Sequence, residues 1–199
     1  MADVKPKLRI GVLASGEGTT LQALLDACEL RKLSAEVVIV ISNNRESGAL
    51  RRAQVAAIRT RHLSSATHSN PDDLDRAMLA ALYEARVDLV VLAGYLKKVG
   101  PRMLEAFAGR MVNTHPGLLP KFGGQGMYGR KVHEAVIAAK EKESGATVHV
   151  VDGEYDHGEI LGQVRVPVMP GDTPDSLAER VQAAERPFLI QVLQQRFAK

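Results

Sequence analysis

Short apolar segments alternate with longer amphipathic segments along most of the chain. The apolar segments are short, mostly β-branched, and stop at Gly, Ser or Asn, as buried strands do. The longer segments repeat apolar residues every three or four positions, which is typical of helices packed on one side. Strands are therefore predicted at 8–14, 35–42, 58–63, 87–94 and 110–113, and helices at 19–30, 45–57, 69–86, 101–109 and 129–140.

The helix at 69–86 has the clearest beginning. Asp72 and Asp73 stand in its first turn, where acidic side chains interact favourably with the helix dipole. The first helix follows a Gly-rich stretch, and Thr19 or Thr20 is its predicted N-cap.

The last third of the chain departs from this alternation. Two apolar strands, 145–152 and 159–168, lie close enough in sequence to pair as a hairpin, and a long helix at 173–197 follows. Strands that alternate with helices and are apolar throughout predict a mostly parallel sheet covered on both faces. The fold class is therefore α/β: a Rossmann-like, mostly parallel twisted sheet with a C-terminal strand pair and helix, in one domain spanning 1–199.

Composition excludes several classes of protein. The chain has 199 residues, 45% of them hydrophobic, and its net charge of +3 is spread along the sequence, so nucleic acid is not an indicated partner. Cys28 is the only cysteine, which excludes an internal disulfide and a multi-cysteine metal site. No segment is apolar enough for a membrane span, and residues 1–8 lack the core of a signal peptide. A cytoplasmic protein with small-molecule partners is predicted, and its oligomeric state stays open.

The stretch SGEGTTLQ, residues 15–22, joins the first strand to the first helix. Its glycines permit a tight turn and leave N–H groups at the helix N-terminus, which suits a phosphate. A P-loop would need a Lys here, and a dinucleotide fingerprint would need Gly in place of Leu21 and an acid in place of Asn43 or Asn44. A terminal phosphate monoester fits better, and a plain Gly turn without a ligand is the alternative.

The stretch VNTHPGLLPKF, residues 112–122, places polar groups where a buried strand ends. Asn113 and His115 alternate, so on an extended segment both project to the same side. The carboxyl ends of parallel strands are where ligand clefts form. His115 therefore stands out among six histidines, most of which we expect to have structural roles.

A second constellation is VHVVDGEYDHGEI, residues 148–160. It places His149 within a strand and Asp152, Glu154 and Asp156 in the loop that follows. A metal site built from His115, His149, His157 and Asp156 is conceivable, although no tight ligand spacing supports it.

Asn, His and Asp without an evident Ser or Cys nucleophile favour direct attack by a substrate amine on a carbonyl. The Asn amide would donate to the developing oxyanion, the His would move protons, and the Asp would hold the imidazolium.

Four motifs together resemble the phosphoribosylglycinamide formyltransferases, a folate-dependent family of purine synthesis. They are SGEGTTLQ, LAGYLKKV, VNTHPGLLPKF and VHVVDGEYDHGEI, and the resemblance runs from about Leu8 to the C-terminal helix. It implies an enzyme that uses 10-formyltetrahydrofolate as co-substrate and no metal. It also implies a cis peptide bond before Pro120.

The resemblance assigns three groups of residues. The catalytic set would be Asn113, His115 and Asp156. The phosphate and ribose of glycinamide ribonucleotide would contact Gly16, Glu17, Gly18, Thr19, Thr20 and Glu185. The reduced folate would contact Leu96, Lys97, Lys98, Val99, Asn113, Asp152, Gly153 and Glu154.

The chain also departs from the family pattern. Leu96-Lys97 stands where Met-Arg is frequent, so a charge is kept but the forked guanidinium is not. Near Pro71 no Arg aligns that could reach the folate tail, residues 121–130 form a longer loop than in many relatives, and Thr20 replaces a frequent Asn.

The implied reaction is transfer of a formyl group to the amine of glycinamide ribonucleotide. A hydrolase of formyltetrahydrofolate is the nearest alternative, although its usual N-terminal regulatory domain has no counterpart before the first strand. A formyltransferase acting on tRNA would need a further C-terminal domain. A binding module for a phosphate ligand, without catalysis, is the alternative from a different class.

Overall fold

The computed structural model describes residues 6–198 as a seven-stranded sheet with helices on both faces. Residues 1–5, which belong to the stretch predicted not to be a signal peptide, lie outside this described part. The strands follow the order β3-β2-β1-β4-β5-β6-β7 across the sheet. Their bounds are β1 Leu8–Ala14, β2 Ala35–Ser42, β3 Arg59–His62, β4 Leu89–Leu92, β5 Met111–His115, β6 Glu143–Val150 and β7 Ile160–Pro167.

The first five strands pair in parallel, and β6 and β7 are antiparallel to their neighbours. The helices are α1 Thr19–Glu29, α2 Gly48–Val55, α3 Pro71–Glu84, α4 Pro101–Ala106, α5 Arg130–Ala138 and α6 Pro174–Arg196. The predicted fold class, with its C-terminal strand pair and helix, is confirmed. Within residues 6–198, none of the helices combines the length and the apolarity that a bilayer crossing requires.

Apolar side chains of the central strands project alternately into two cores, one on each face of the sheet. Ile10 and Val12 pack with α1, α2 and α6, whereas Leu13 packs on the other face with α3 and α4. A third cluster joins α5 to α6 beneath β6 and β7. Because both faces are covered, the strand ends are the places where polar side chains can meet a cleft.

Antiparallel pairing of β5 with β6 extends β5 further than its sequence predicts. The strand was predicted to end at Asn113, but it continues to His115 because β6 supplies a partner for each residue. Asn113 faces His149 in this register, and His115 faces Thr147. The two polar side chains therefore lie on the end of a rigid strand.

The predicted cap of α1 is wrong. Gly18, with φ of 73°, occupies the N-cap position, and no side chain caps the helix. The residue before the helix has to adopt a left-handed conformation that glycine tolerates and threonine does not. The α3 helix begins as predicted, with Asp72 and Asp73 in its first turn, and the Asn70 side chain accepts a hydrogen bond from the Asp72 N–H.

Candidate functional site

Three segments that are distant in sequence meet at the carboxyl end of β5. Asn113 and His115 come from β5, His149 comes from β6, and Asp156 comes from the loop between β6 and β7. This loop turns back over the sheet, so that Asp156 contacts both histidines. The predicted set of Asn113, His115 and Asp156 is brought together in one place, and its role in catalysis stays a prediction.

Asp156 is the centre of this cluster. Its Oδ2 atom lies 3.3 Å from His115 Nδ1 and accepts a hydrogen bond of 3.0 Å from the Gly124 N–H. Its Oδ1 atom lies 3.4 Å from His149 Nε2. The side chain is only 10% exposed, and its backbone adopts φ of 57°. The left-handed conformation, uncommon for a residue other than glycine, aims the carboxylate inward.

The Asp156 carboxylate is held in its charged form. Burial by itself would raise the pKa, but hydrogen bonds from His115 and from the Gly124 N–H outweigh burial. The pKa of Asp156 is consequently held well below its usual range. A permanent negative charge therefore lies between two imidazole rings.

His115 is enclosed, with 2% of its surface exposed. The Pro-rich loop folds over the imidazole ring and encloses it. Its Nε2 atom lies 2.8 Å from the carbonyl oxygen of Phe122, and a carbonyl can only accept. Nε2 therefore carries a proton while Nδ1 faces the Asp156 carboxylate, an arrangement that suits the doubly protonated ring.

His149 fixes the orientation of the Asn113 amide. Its Nδ1 atom lies 2.9 Å from the Val150 carbonyl oxygen and donates to it, so in the neutral ring Nε2 is free to accept. That Nε2 atom lies 3.1 Å from Asn113 Nδ2. The amide nitrogen has two protons, and the second remains available to another acceptor.

The conceivable metal site is not assembled. His157 is exposed and its Nδ1 lies 3.1 Å from Asp152 Oδ2, rather than beside His115, His149 and Asp156. Across residues 6–198, no three His, Cys, Asp or Glu side chains are arranged to hold a metal ion.

Two clefts meet at this cluster and share Asn113, Asp156, Tyr95 and Tyr155 in their linings. The first lies between the loop after β4 and the loop after β6, and its lining includes the predicted folate contacts Lys97, Lys98, Val99, Asn113, Asp152, Gly153 and Glu154. The second runs past Thr114 and His115 towards the loop at 124–128, and the predicted folate contact Leu96 lines this second cleft instead. Asn113 and Asp156 therefore each border both clefts.

The Gly-rich loop does not enter the lining of either cleft, but it is joined to the second one by the hydrogen bond from the Ser15 N–H to the carbonyl oxygen of Gly94. Gly16 has open space around its Cα, whereas Gly18 lies so close to α2 that a Cβ would stand 2.6 Å from the Ala49 Cα. The first hydrogen bond of α1 runs from the Gln22 N–H to the Gly18 carbonyl oxygen. The N–H groups of the preceding turn have no acceptor within the helix, which is the arrangement that binds phosphate. The loop thus places Gly16, Glu17, Gly18, Thr19 and Thr20 around a helix N-terminus.

Glu185 lies on α6 and is almost fully buried. It accepts a hydrogen bond of 2.9 Å from the Thr114 hydroxyl, and Thr114 itself lines the second cleft. Burial raises the pKa of Glu185, and the Thr114 hydrogen bond only partly offsets this. Glu185 therefore reaches the edge of the site through Thr114 rather than lining either cleft.

Sequence reasoning did not assign roles to several residues of the site. Tyr95 lines both clefts and also a third, formed with Leu74 and Met78. Its hydroxyl lies 3.9 Å from the Met78 sulfur, and burial raises the pKa of Tyr95 to about 12. His149 was considered only as a metal ligand. Pairing of adjacent strands could have found it, because the residue opposite Asn113 on a neighbouring strand lies within side-chain reach.

The loop at 121–130, which follows β5, contributes backbone groups to the site. The bond between Leu119 and Pro120 is cis, as the resemblance implies. Phe122 supplies the carbonyl that His115 contacts, and Gly124 supplies an N–H to Asp156. The loop at 121–130 therefore supports the Asp156 cluster directly.

The chain resembles known proteins over nearly its full length. Residues 8–193 match the family described as formyl transferase. The phosphoribosylglycinamide formyltransferase of Haemophilus influenzae is 39% identical over 177 residues, which cover 89% of this chain and 81% of that protein. The chloroplastic phosphoribosylglycinamide formyltransferase of Arabidopsis thaliana is 37% identical over 93% of this chain, which spans 64% of the plant protein. The crystal structure of glycinamide ribonucleotide transformylase 1 from Symbiobacterium toebii matches with a TM-score of 0.89 and 37% identity, covering 96% of this chain and 87% of that one.

Proposed function

This chain belongs to the formyl transferase family, and we propose that it transfers the formyl group of 10-formyltetrahydrofolate to the amine of glycinamide ribonucleotide. The observation that carries the proposal is the meeting of two clefts at Asn113 and Asp156. A transfer between two small molecules needs such a meeting point, because donor and acceptor have to approach within about 3–3.5 Å of each other.

The folate would occupy the first cleft and the ribonucleotide the second. Lys97 and Lys98 at the mouth of the first cleft suit an anionic tail, and the backbone of 152–154 offers polar groups to a pterin ring. The Gly-rich loop would bind the 5′-phosphate through its N–H groups, and Glu185 would act on the ribose hydroxyls through Thr114, which lines the second cleft.

In this mechanism the amine attacks the formyl carbon directly, and negative charge develops on the formyl oxygen. Of the two protons on the Asn113 amide nitrogen, one is directed at His149. The amide would donate the other in a hydrogen bond to the formyl oxygen. The buried positive charge of His115, balanced by Asp156, would stabilise the same oxyanion.

His115 would also move protons: its Nε2 would give a proton to the departing folate nitrogen and then take one from the amine that has attacked, which returns the ring to its charged form. Both of its nitrogens are occupied, Nδ1 by Asp156 and Nε2 by the Phe122 carbonyl. We therefore propose that Nε2 exchanges the Phe122 carbonyl for the substrate when the proton moves, while Nδ1 keeps its contact with Asp156.

Two further statements belong to the same proposal. Residues 1–199 form one formyltransferase domain. The protein is cytoplasmic, since a chain with one cysteine, which cannot form an internal disulfide, suits a reducing compartment.

The test combines purified protein with 10-formyltetrahydrofolate and glycinamide ribonucleotide, and follows the deformylated folate by absorbance. A parallel reaction omits the ribonucleotide. We expect signal only when both substrates are present. Equal signal in both reactions would establish the hydrolase, and binding of the ribonucleotide without consumption of folate would establish the binding module.

A further inference from the structure

The hydroxyl of Ser15 connects the Gly-rich loop, assigned to the ribonucleotide, with the loop after β4, whose residues 97–99 line the cleft assigned to folate. It donates a hydrogen bond of 2.5 Å to Asn43 Oδ1 and accepts one of 2.9 Å from the Leu96 N–H. Ser15 follows β1, Asn43 follows β2, and Leu96 lies in the loop after β4. A single side chain therefore links the ends of three neighbouring strands.

The place of Ser15 in the sequence gives this link a consequence. Gly16, the next residue, begins the phosphate-binding turn. The loop at 96–99 begins at Leu96, whose N–H donates to the Ser15 hydroxyl. A second contact reinforces the link, since the Ser15 N–H donates a hydrogen bond of 3.1 Å to the Gly94 carbonyl oxygen. Ser15 is 9% exposed, so water does not readily replace its partners.

Resting on the function proposed above, we propose that Ser15 is a positioning residue that sets the distance between the attacking amine and the formyl carbon. The amine is fixed through the phosphate at one loop, and the formyl group is fixed through the folate at the other. A displacement of about 1 Å between reacting groups lowers the rate about 10²-fold, even when each ligand still binds.

Ser15→Ala removes the hydroxyl and leaves the Leu96 N–H and the Asn43 amide oxygen without this partner. We expect kcat to fall about 10- to 100-fold, while KM and the dissociation constant of each ligand measured alone stay within about threefold. Glycinamide ribonucleotide and tetrahydrofolate serve as the binding probes. We also expect a larger share of formyl groups to be lost to water, because water is not held by the phosphate loop.

Ser176→Ala is the matched control. Its hydroxyl, at the start of α6, likewise donates a hydrogen bond of 2.7 Å to Asp172 Oδ1 and accepts one of 3.0 Å from the Thr173 N–H. We expect both variants to lose a similar amount of thermal stability and only Ser15→Ala to lose kcat. Should Ser15→Ala fail to fold, Ser15→Cys retains a weak donor and acceptor, and we expect it to show a smaller loss of kcat at unchanged KM.

Three results would overturn the inference. They are a Ser15 variant with wild-type kcat, an equal loss of kcat in Ser176→Ala, and a loss of kcat matched by weaker binding of either ligand alone. A wild-type protein that transfers no formyl group to the ribonucleotide overturns the proposed function and this inference together. A wild type that transfers, beside a Ser15→Ala variant that transfers equally fast, overturns only the role of Ser15.

Discussion

The Gly-rich loop and the Asp156 cluster, two regions at the same edge of the sheet, offer a ligand different kinds of group. The loop offers backbone N–H groups, whose directions are set by the turn at Gly18 and by the start of α1. The cluster offers side chains from three separate segments, each held by another member of the cluster. Backbone groups tolerate a change of side chain, whereas removal of one member of the cluster leaves the other members without its contacts.

This difference predicts where substitutions have their largest effects. In the cluster, we expect the change of a single polar atom to lower activity. In the loop, only a change in backbone conformation matters, and the side chains of Thr19 and Thr20 are secondary. The following substitutions separate the two regions, from the largest expected effect to the smallest.

Asp156→Asn removes the charge that balances His115. We expect kcat to fall about 10³-fold and stability at pH 7 to fall by about 3 kcal/mol, since an uncompensated charge is left in a buried site. The folded-state pKa of Asp156 is lowered, so its stabilising effect is complete above the unfolded pKa of about 3.9 and is lost as pH falls below that value. Thermal unfolding at pH 7 and pH 3 tests this, and a stability difference that persists undiminished at pH 3 would contradict it.

Asn113→Ala removes the side chain that we propose as the direct donor to the oxyanion. We expect kcat to fall about 10²- to 10³-fold with little change in KM or in thermal stability. Asn70→Ala is the control, because Asn70 also makes a side-chain hydrogen bond, but only as the cap of α3. Activity of Asn113→Ala within a few-fold of wild type would remove this residue from the mechanism.

Gly18→Ala changes the loop rather than a functional side chain. A Cβ at this position would stand 2.6 Å from the Ala49 Cα, and the backbone has φ of 73°. We expect KM for the ribonucleotide to rise about 10- to 100-fold, with kcat at saturation kept near wild type.

Gly171→Ala is the matched control for Gly18→Ala. Its φ is 84°, so it carries the same backbone strain, but a Cβ there meets nothing within 4 Å. A loss of activity shared by both glycine variants would show that strain in general, and not the shape of the loop, accounts for the change.

Glu185→Gln has the smallest expected effect and a stabilising sign. Because burial raises the folded-state pKa of Glu185, keeping it ionised at neutral pH costs stability, and Gln removes that cost while still accepting from Thr114. We expect a melting temperature about 2–4 °C above wild type at pH 7, with no difference below about pH 4, and several-fold weaker binding of the ribonucleotide. Calorimetry at both pH values checks the sign, and a lower melting temperature at pH 7 would refute it.

Local features of the sequence predict much of this architecture. Neighbouring residues are enough to predict the Gly-rich turn, the acidic start of α3 and the alternation of Asn113 with His115. The helix α1 begins at Thr19 as predicted, but its N-cap is wrong, because a threonine next to glycine resembles a cap and only the left-handed φ of Gly18 shows otherwise.

The remaining features depend on contacts between distant residues. His149 meets Asn113 only because of the register between β5 and β6. Asp156 reaches His115 only because its loop turns back, and Ser15 reaches Leu96 across 81 positions. No periodicity or local composition encodes these approaches.

Tyr95 has a consequence for how this protein can evolve. Because its ring borders three clefts, a single codon change there alters three linings at once. Val151, by contrast, borders the first cleft without entering the lining of the second or third. Under selection by an inhibitor shaped like folate, we expect escape mutations to accumulate at positions like Val151 and to be rare at Tyr95, where resistance would come with a growth defect.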